Sequence, residues 1–230
     1  MNQIVTTGAV LARTNYGEAD RIVTLLTPDH GKVRVMARGV RKAKSKLAGG
    51  IELFSVSDIT FARGKGEIGT LVSTRLKTHF GEALKDIDRT MEAYDLIKLL
   101  DKSTEDSCEP EYFELLSELF AALDDVRLPM TLVRTWFFAR LLNLHGFSPN
   151  LQHDTAGEKL LADSRYVFDF DAMTLAPSPD GSLTSQHIKL LRLLYGHVTP
   201  AGLARVQGMM EHVQPLLPLV EAMKKQHLRV

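Results

Sequence analysis

The sequence predicts an α+β protein: an N-terminal antiparallel five-stranded barrel over residues 1–80, followed by an all-helical domain over 81–230 with a small irregular hairpin insertion at about 147–182. Three observations predict it. Up to about residue 80, apolar side chains recur in short β-branched or alternating runs separated by Gly-rich turns. From about residue 82 their spacing becomes helical. The charge divides at the same place: residues 1–80 carry 13 Lys+Arg against 6 Asp+Glu, and residues 81–230 carry 15 against 22.

The strands are expected at residues 4–13, 21–27, 32–38, 52–61 and 68–77. The first ends at the turn signal Asn15-Tyr16-Gly17, the second at Pro28-Asp29-His30-Gly31. In that first turn Asp20 is expected to cap locally or pair with Arg21. No helix here is long enough to cross over between parallel partners, so the strands suit a small antiparallel barrel. Five strands is the count of an OB-fold, and SH3-like barrels have a similar one. Helices are expected at 87–102, 111–123, 131–145, 183–195 and 201–217. Pro110 opens the second, and Gly146 and Pro149 close the third. A hairpin is expected around 165–175.

Composition excludes several classes. A hydrophobic fraction of 44% and a charged fraction of 24% are those of a globular chain. No run approaches the ~20 apolar residues of a membrane span. Residues 1–10 lack the cationic start and apolar run of a signal peptide. A single cysteine, Cys108, allows no internal disulfide and fits a reducing, cytoplasmic compartment.

Residues 32–38, KVRVMAR, carry the strongest functional signal. Alternation along a strand sends Val33, Val35 and Ala37 inward, and Lys32, Arg34, Met36 and Arg38 outward. Alternate residues are spaced roughly 6.6–7 Å apart, close to the phosphate repeat of an extended single strand. The next loop adds Arg41, Lys42, Lys44 and Lys46, so residues 31–50 hold seven basic residues and no acidic one. Arg63, Lys65, Arg75 and Lys77 extend the excess. A solvated face mixes signs; a single-sign run displaces counterions from a nucleic-acid backbone and binds without reading bases. The aromatics of this half are Tyr16, Phe54, Phe61 and Phe80, of which Phe54 and Phe61 are expected in the core.

Enzymatic signals are weak. Gly64-Lys65-Gly66-Glu67-Ile68-Gly69 matches GxGxxG, but its glycines open a strand and no βαβ unit surrounds them. No phosphate-loop motif supports ATP use. Asp169 and Asp171 are expected at solvent-facing positions, and the eight histidines lack metal-ligand spacing. Glu105, Asp106 and Glu109 around Cys108 are expected to raise its thiol pKa. Three function classes are therefore weighed: a DNA-binding protein without catalytic activity or cofactor, an OB-fold adaptor for RNA or ribosomes, and a nuclease or NTP-dependent enzyme, for which the carboxylate cluster and phosphate loop are wanting.

Several segments together resemble the RecO family of bacterial recombination mediators: Ala9-Val10-Leu11, Tyr16-Gly17-Glu18-Ala19-Asp20-Arg21, Thr27-Pro28-Asp29-His30-Gly31-Lys32, Ala37-Arg38-Gly39-Val40-Arg41-Lys42, Leu47-Ala48-Gly49-Gly50-Ile51-Glu52-Leu53-Phe54 and Arg63-Gly64-Lys65-Gly66. The likeness is weaker but collinear through Leu141-Leu142-Asn143-Leu144-His145-Gly146-Phe147-Ser148-Pro149. It implies an OB-fold with a helical domain in a cytoplasmic, nucleoid-associated protein. It implies binding of single- and double-stranded DNA and annealing of complementary strands. With the partner RecR, it implies replacement of single-strand binding protein by the RecA recombinase.

Many relatives hold zinc with two CxxC pairs. Here those positions read His153-Asp154-Thr155-Ala156 and, further on, Ala176 and Pro179, so no zinc is expected and packing of Tyr166, Phe168 and Phe170 is expected to hold the hairpin. The helix at 131–145 has two readings. Trp136, Phe137, Phe138, Leu141 and Leu142 suit a buried central helix. Rimmed by Arg134 and Arg140, they also suit a peptide with an acidic run and a C-terminal aromatic carboxylate. The family binds such a tail on single-strand binding protein, which makes Arg134, Trp136 and Arg140 candidate partner-peptide residues.

Overall fold

The computed structural model describes residues 2–64 and 66–228; of Asn2 only the backbone is described. The chain forms two compact units, Met1–Val126 and Arg127–Arg229.

In the first unit, β1 (Asn2–Tyr16), β2 (Asp20–Thr27), β3 (Gly31–Ala37), β4 (Ser55–Arg63) and β5 (Ile68–His79) close a barrel in the order β1-β2-β3-β5-β4. β1 is long enough to serve two partners: its first half pairs with β4 and its second with β2, with a register shift between Val10 and Ala12 where it bends. Four of the five pairings are antiparallel; β3 meets β5 in parallel over Arg34–Met36, which closes the barrel. The period-2 pattern is the cause of the core. Val10, Val23, Leu25, Val33, Val35, Ile59, Phe61 and Leu71 all point inward and are buried.

β4 begins three residues later than its sequence suggests. Gly50 lies so close to β5 that a Cβ there would stand 2.5 Å from that of Thr74. The chain then turns through Phe54, whose φ of 60° is the left-handed region. That turn places the Phe54 ring outside the barrel, buried between Tyr94 and Phe120 at 5.6 and 5.7 Å. These rings belong to α1 (Ile87–Ser103) and α2 (Pro110–Asp124), which pack with the barrel in one unit. Arg89 of α1 is buried and donates to the carbonyls of Ala122, Leu123 and Asp125, closing the C-terminus of α2.

The second unit contains α3 (Met130–Leu144), a hairpin of β6 (Tyr166–Asp169) and β7 (Thr174–Pro177), α4 (Ser185–Leu194), the short turn α5 (Pro200–Leu203) and α6 (Met209–His227). The helix expected at 201–217 is two elements. The first ends at Leu203, and Gly208, at φ 79°, is the N-cap from which the second starts. α6 then runs through Pro215 and Pro218, because its buried row Met209, Val213, Leu216, Val220 and Met223 continues past both prolines. Among the described residues no helix is long and apolar enough to cross a membrane.

Candidate nucleic-acid interface

β3 alternates as its sequence dictates: Val33, Val35 and Ala37 are buried, while Arg34 is exposed and Met36 half-buried. Lys32 corrects the expected stripe. Its side chain is 7% exposed, and its ammonium donates to the carbonyls of Asp101 (2.5 Å) and Thr104 (2.7 Å) and lies 3.1 Å from the Asp101 carboxylate. Those carbonyls end α1, whose last turn has no intrahelical donors for them. Lys32 therefore caps a helix and is withdrawn from solvent. Arg34 stays outside, its guanidinium 3.4 Å from Asp106 on the loop between α1 and α2.

The richest exposed cationic surface is the loop after β3. Arg38, Arg41, Lys42, Lys44 and Lys46 are all exposed. Among the described residues no carboxylate lies within 4.0 Å of any of them. The loop is nevertheless built. Asp20 accepts from the Gly39 amide at 2.7 Å, and the Arg41 amide donates to Ala19 O at 2.9 Å. The Arg41 guanidinium donates to Gly17 O at 3.1 Å. So Asp20 anchors the turn before β2 to the basic loop, rather than pairing with Arg21, which donates to Asn15. The sequence signal for this was the Glu18-Ala19-Asp20 turn, whose partner lies beyond local range.

A cleft of about 630 Å³ opens in the same unit, between the β2–β3 turn, the β4–β5 loop and the α1–α2 loop. Arg34 and Arg63 line it with His30, Phe61 and Cys108. Burial pushes the Cys108 thiol up, with smaller contributions of opposite sign from Lys32 and Glu109. Lys65 lies outside the described residues. Arg75 and Lys77 stand elsewhere on β5, beside a carboxylate: Arg75 is the cross-strand partner of Asp58, and Lys77 pairs with Asp58 at 3.1 Å. The Lys77 hydrogen bond, then that of Thr7, holds the Asp58 carboxyl below its usual range.

In the second unit α3 is buried on all sides. Trp136 is fully buried and donates its indole N–H to Val198 O at 3.1 Å. Arg140, 4% exposed, donates to Gly196 O at 2.7 Å beside His197. Arg134 is partly exposed and pairs with Glu221 of α6. The expected peptide site is corrected: Trp136 and Arg140 are spent on the turn after α4, since a helix apolar on every face takes the centre of its unit.

Around residues 150–158 and Thr174, side-chain amide, carboxylate and hydroxyl groups tie the chain. Asn150 accepts from the amides of Gln152 and His153, and Asp154 from those of Ala156 and Glu158. Thr174 donates to the carbonyls of Asn150 and His153. Tyr166 is buried and its hydroxyl accepts from Leu161 N, while Phe168 and Phe170 meet edge to face at 5.0 Å. Asp169 accepts from the amides of Asp171 and Ala172, so this DxD closes the hairpin turn. Among the described residues no group of three or more His, Cys, Asp or Glu side chains converges.

Comparison with known proteins agrees with this arrangement. Family models described as Recombination protein O N terminal and Recombination protein O C terminal match residues 1–80 and 84–230. A DNA repair protein RecO of Dehalococcoides mccartyi is 35% identical over 163 residues, 70% of this chain and 64% of its own length. One of Bacillus velezensis is 32% identical over 200 residues, 82% and 75% of the two chains. One of Listeria monocytogenes is 34% identical over 145 residues, 63% and 56%. The matched region thus spans less than two thirds of the first and third of these relatives. With both halves of the chain matched in order and a five-stranded barrel under the first, this protein belongs to the RecO family.

Proposed function

We propose that this protein is a DNA-repair recombination mediator that binds single- and double-stranded DNA through its barrel and acts by binding, without covalent chemistry. The observation that carries this reading is the exposed loop Arg38–Lys46: five cations on an anchored loop with no carboxylate within reach among the described residues. Such a surface neutralises phosphates and releases their counterions. By lowering the repulsion between two backbones it favours the annealing of complementary strands. Arg34 and Arg63 extend the surface toward the cleft. Family membership supports the wider role, in which the protein works with RecR to help load RecA onto strands coated by single-strand binding protein.

The test is a salt titration of DNA binding. Wild-type protein is expected to lose affinity steeply with salt. A variant carrying Arg38→Glu, Lys42→Glu and Lys44→Glu should flatten the slope by about two to three units, at about 0.7–0.9 for each phosphate no longer neutralised. An unchanged slope would remove the loop from the interface. Tighter binding of structured RNA than of DNA would favour an RNA adaptor instead.

A further inference from the structure

The cleft between the β2–β3 turn, the β4–β5 loop and the α1–α2 loop is given no role by binding of the phosphate backbone to the basic loop. Its volume, about 630 Å³, falls within the range of about 300–1,000 Å³ that small-molecule sites occupy. Val33 and Phe61 lie at its base, 4% and 2% exposed and turned into the barrel core, and the partly exposed His30 ring stands edge to face on Phe61 at 6.5 Å. Arg34 and Arg63 bring two exposed guanidinium groups to it. Asp29, held by the Thr6 hydroxyl, and Glu67 add hydrogen-bond acceptors.

The third wall is the acidic loop. It is seated tightly: Lys32 N donates to Asp106 O at 2.9 Å, and a Cβ on Gly31 would lie 2.5 Å from that same oxygen. Lys32 holds the end of α1 in place beneath it. The Asp106 carboxylate is thereby set 3.4 Å from Arg34, with both side chains well exposed, at 67% and 46%. An exposed pair of this kind is worth little and opens readily. Asp106 meets the guanidinium through one oxygen at 3.4 Å, whereas a phosphate free to settle on it can engage the fork with two charged oxygens.

We propose that this cleft takes one unstacked nucleotide of a single strand, with its base against the His30 ring and its phosphate replacing the Asp106 carboxylate on Arg34 beside Arg63. The inference rests on the DNA-binding reading and deepens it by giving the single strand a site that a duplex cannot use. Bases that are paired and stacked cannot enter a pocket without leaving the helix. Asp106 then acts as an internal competitor: it keeps Arg34 ordered when no strand is bound and lowers affinity by the strength of one exposed ion pair.

Cys108 supplies the test, because it is the sole cysteine and lines the cleft. The rate of maleimide labelling is measured on the full chain at mildly alkaline pH, with a short deoxythymidine oligomer and with a duplex. At oligomer concentrations about ten times Kd, labelling should slow about tenfold, tracking the free fraction. Duplex at the same saturation should leave the rate unchanged. Asp106→Asn should tighten oligomer binding about two- to fivefold, with Glu105→Gln, the same change of charge outside the cleft lining, giving a smaller effect. Melting temperatures of both variants report whether the loop keeps its fold. Full oligomer binding with unchanged labelling would overturn the inference and leave the DNA-binding reading standing. So would equal protection by duplex, or equal effects of the two substitutions. Failure of the wild-type protein to bind DNA in a salt-dependent way would overturn both.

Discussion

The Lys32 ammonium sits 3.1 Å from the Asp101 carboxylate and caps the end of α1 through the carbonyls of Asp101 and Thr104. A residue that alternation places on a cationic strand face is thereby a clamp between barrel and helix. The clamp also fixes the segment that carries Asp106 past Gly31.

Lys32→Ala is therefore expected to act on stability before affinity. It leaves a partly buried carboxylate and two helix-terminal carbonyls without their donor, at a cost of about 2–4 kcal/mol. Urea unfolding followed by circular dichroism measures it. At temperatures where the variant is folded, its salt slope for DNA should match wild type. A slope reduced by the worth of one phosphate, with stability untouched, would restore Lys32 to the interface.

The barrel was legible because most of its strands bury one face, β5 doing so only at Gly69 and Leu71. Val33, Val35 and Ala37 alternate with charges, and no other element type accommodates that pattern. The loop Arg38–Lys46 was legible for the same reason in reverse: five cations without an acid among them cannot be buried. What the sequence hid is where polar groups go. Lys32 reaches a helix end 69 residues away, and Asp20 reaches Gly39 rather than its neighbour. The loop Glu105–Glu109 read as an environment for a thiol, when its nearest functional neighbour is Arg34. The helix expected at 201–217 stops before Pro218, whereas the buried row Val213, Leu216, Val220 and Met223 carries α6 on to His227.

Trp136 and Arg140 should behave as core residues. Trp136→Ala removes a fully buried indole and its bond to Val198 O, and is expected to cost about 3–5 kcal/mol. Arg140→Ala should cost about 1–3 kcal/mol, through the loss of a donor to Gly196 O in a buried setting. Both are measured by thermal denaturation. Arg134, partly exposed and paired with Glu221, should tolerate alanine at under about 1 kcal/mol. Full stability of Trp136→Ala, with loss of binding to an acidic tail peptide, would return the helix to the role of a docking surface.

The hairpin should be indifferent to chelators. Its loop is tied by Asn150, Asp154 and Thr174 in place of thiolates. EDTA is expected to leave the melting temperature unchanged. Asp154→Ala should lower stability by about 1 kcal/mol, the worth of a side chain satisfying two loop amides. Elemental analysis finding one zinc per chain would overturn this account.

Acid should weaken the second unit through His187. Its Nδ1 accepts from Thr184 N at 3.2 Å in the capping box that starts α4, and its ring meets His212 of α6 at 5.1 Å. Burial first, and then His212, holds its pKa below the ordinary 6.5. Between the folded and unfolded values the unfolded chain binds more protons, so stability rises with pH there. The neutral imidazole therefore contributes fully above about pH 6.5, and the contribution is lost as pH falls through the lower, folded value. One group can supply a slope of at most about 1.4 kcal/mol per pH unit. His187→Asn keeps a capping acceptor and removes the titration, so its unfolding free energy should change less between neutral and mildly acidic pH than that of wild type. Parallel curves for the two proteins would show that the acid sensitivity lies elsewhere.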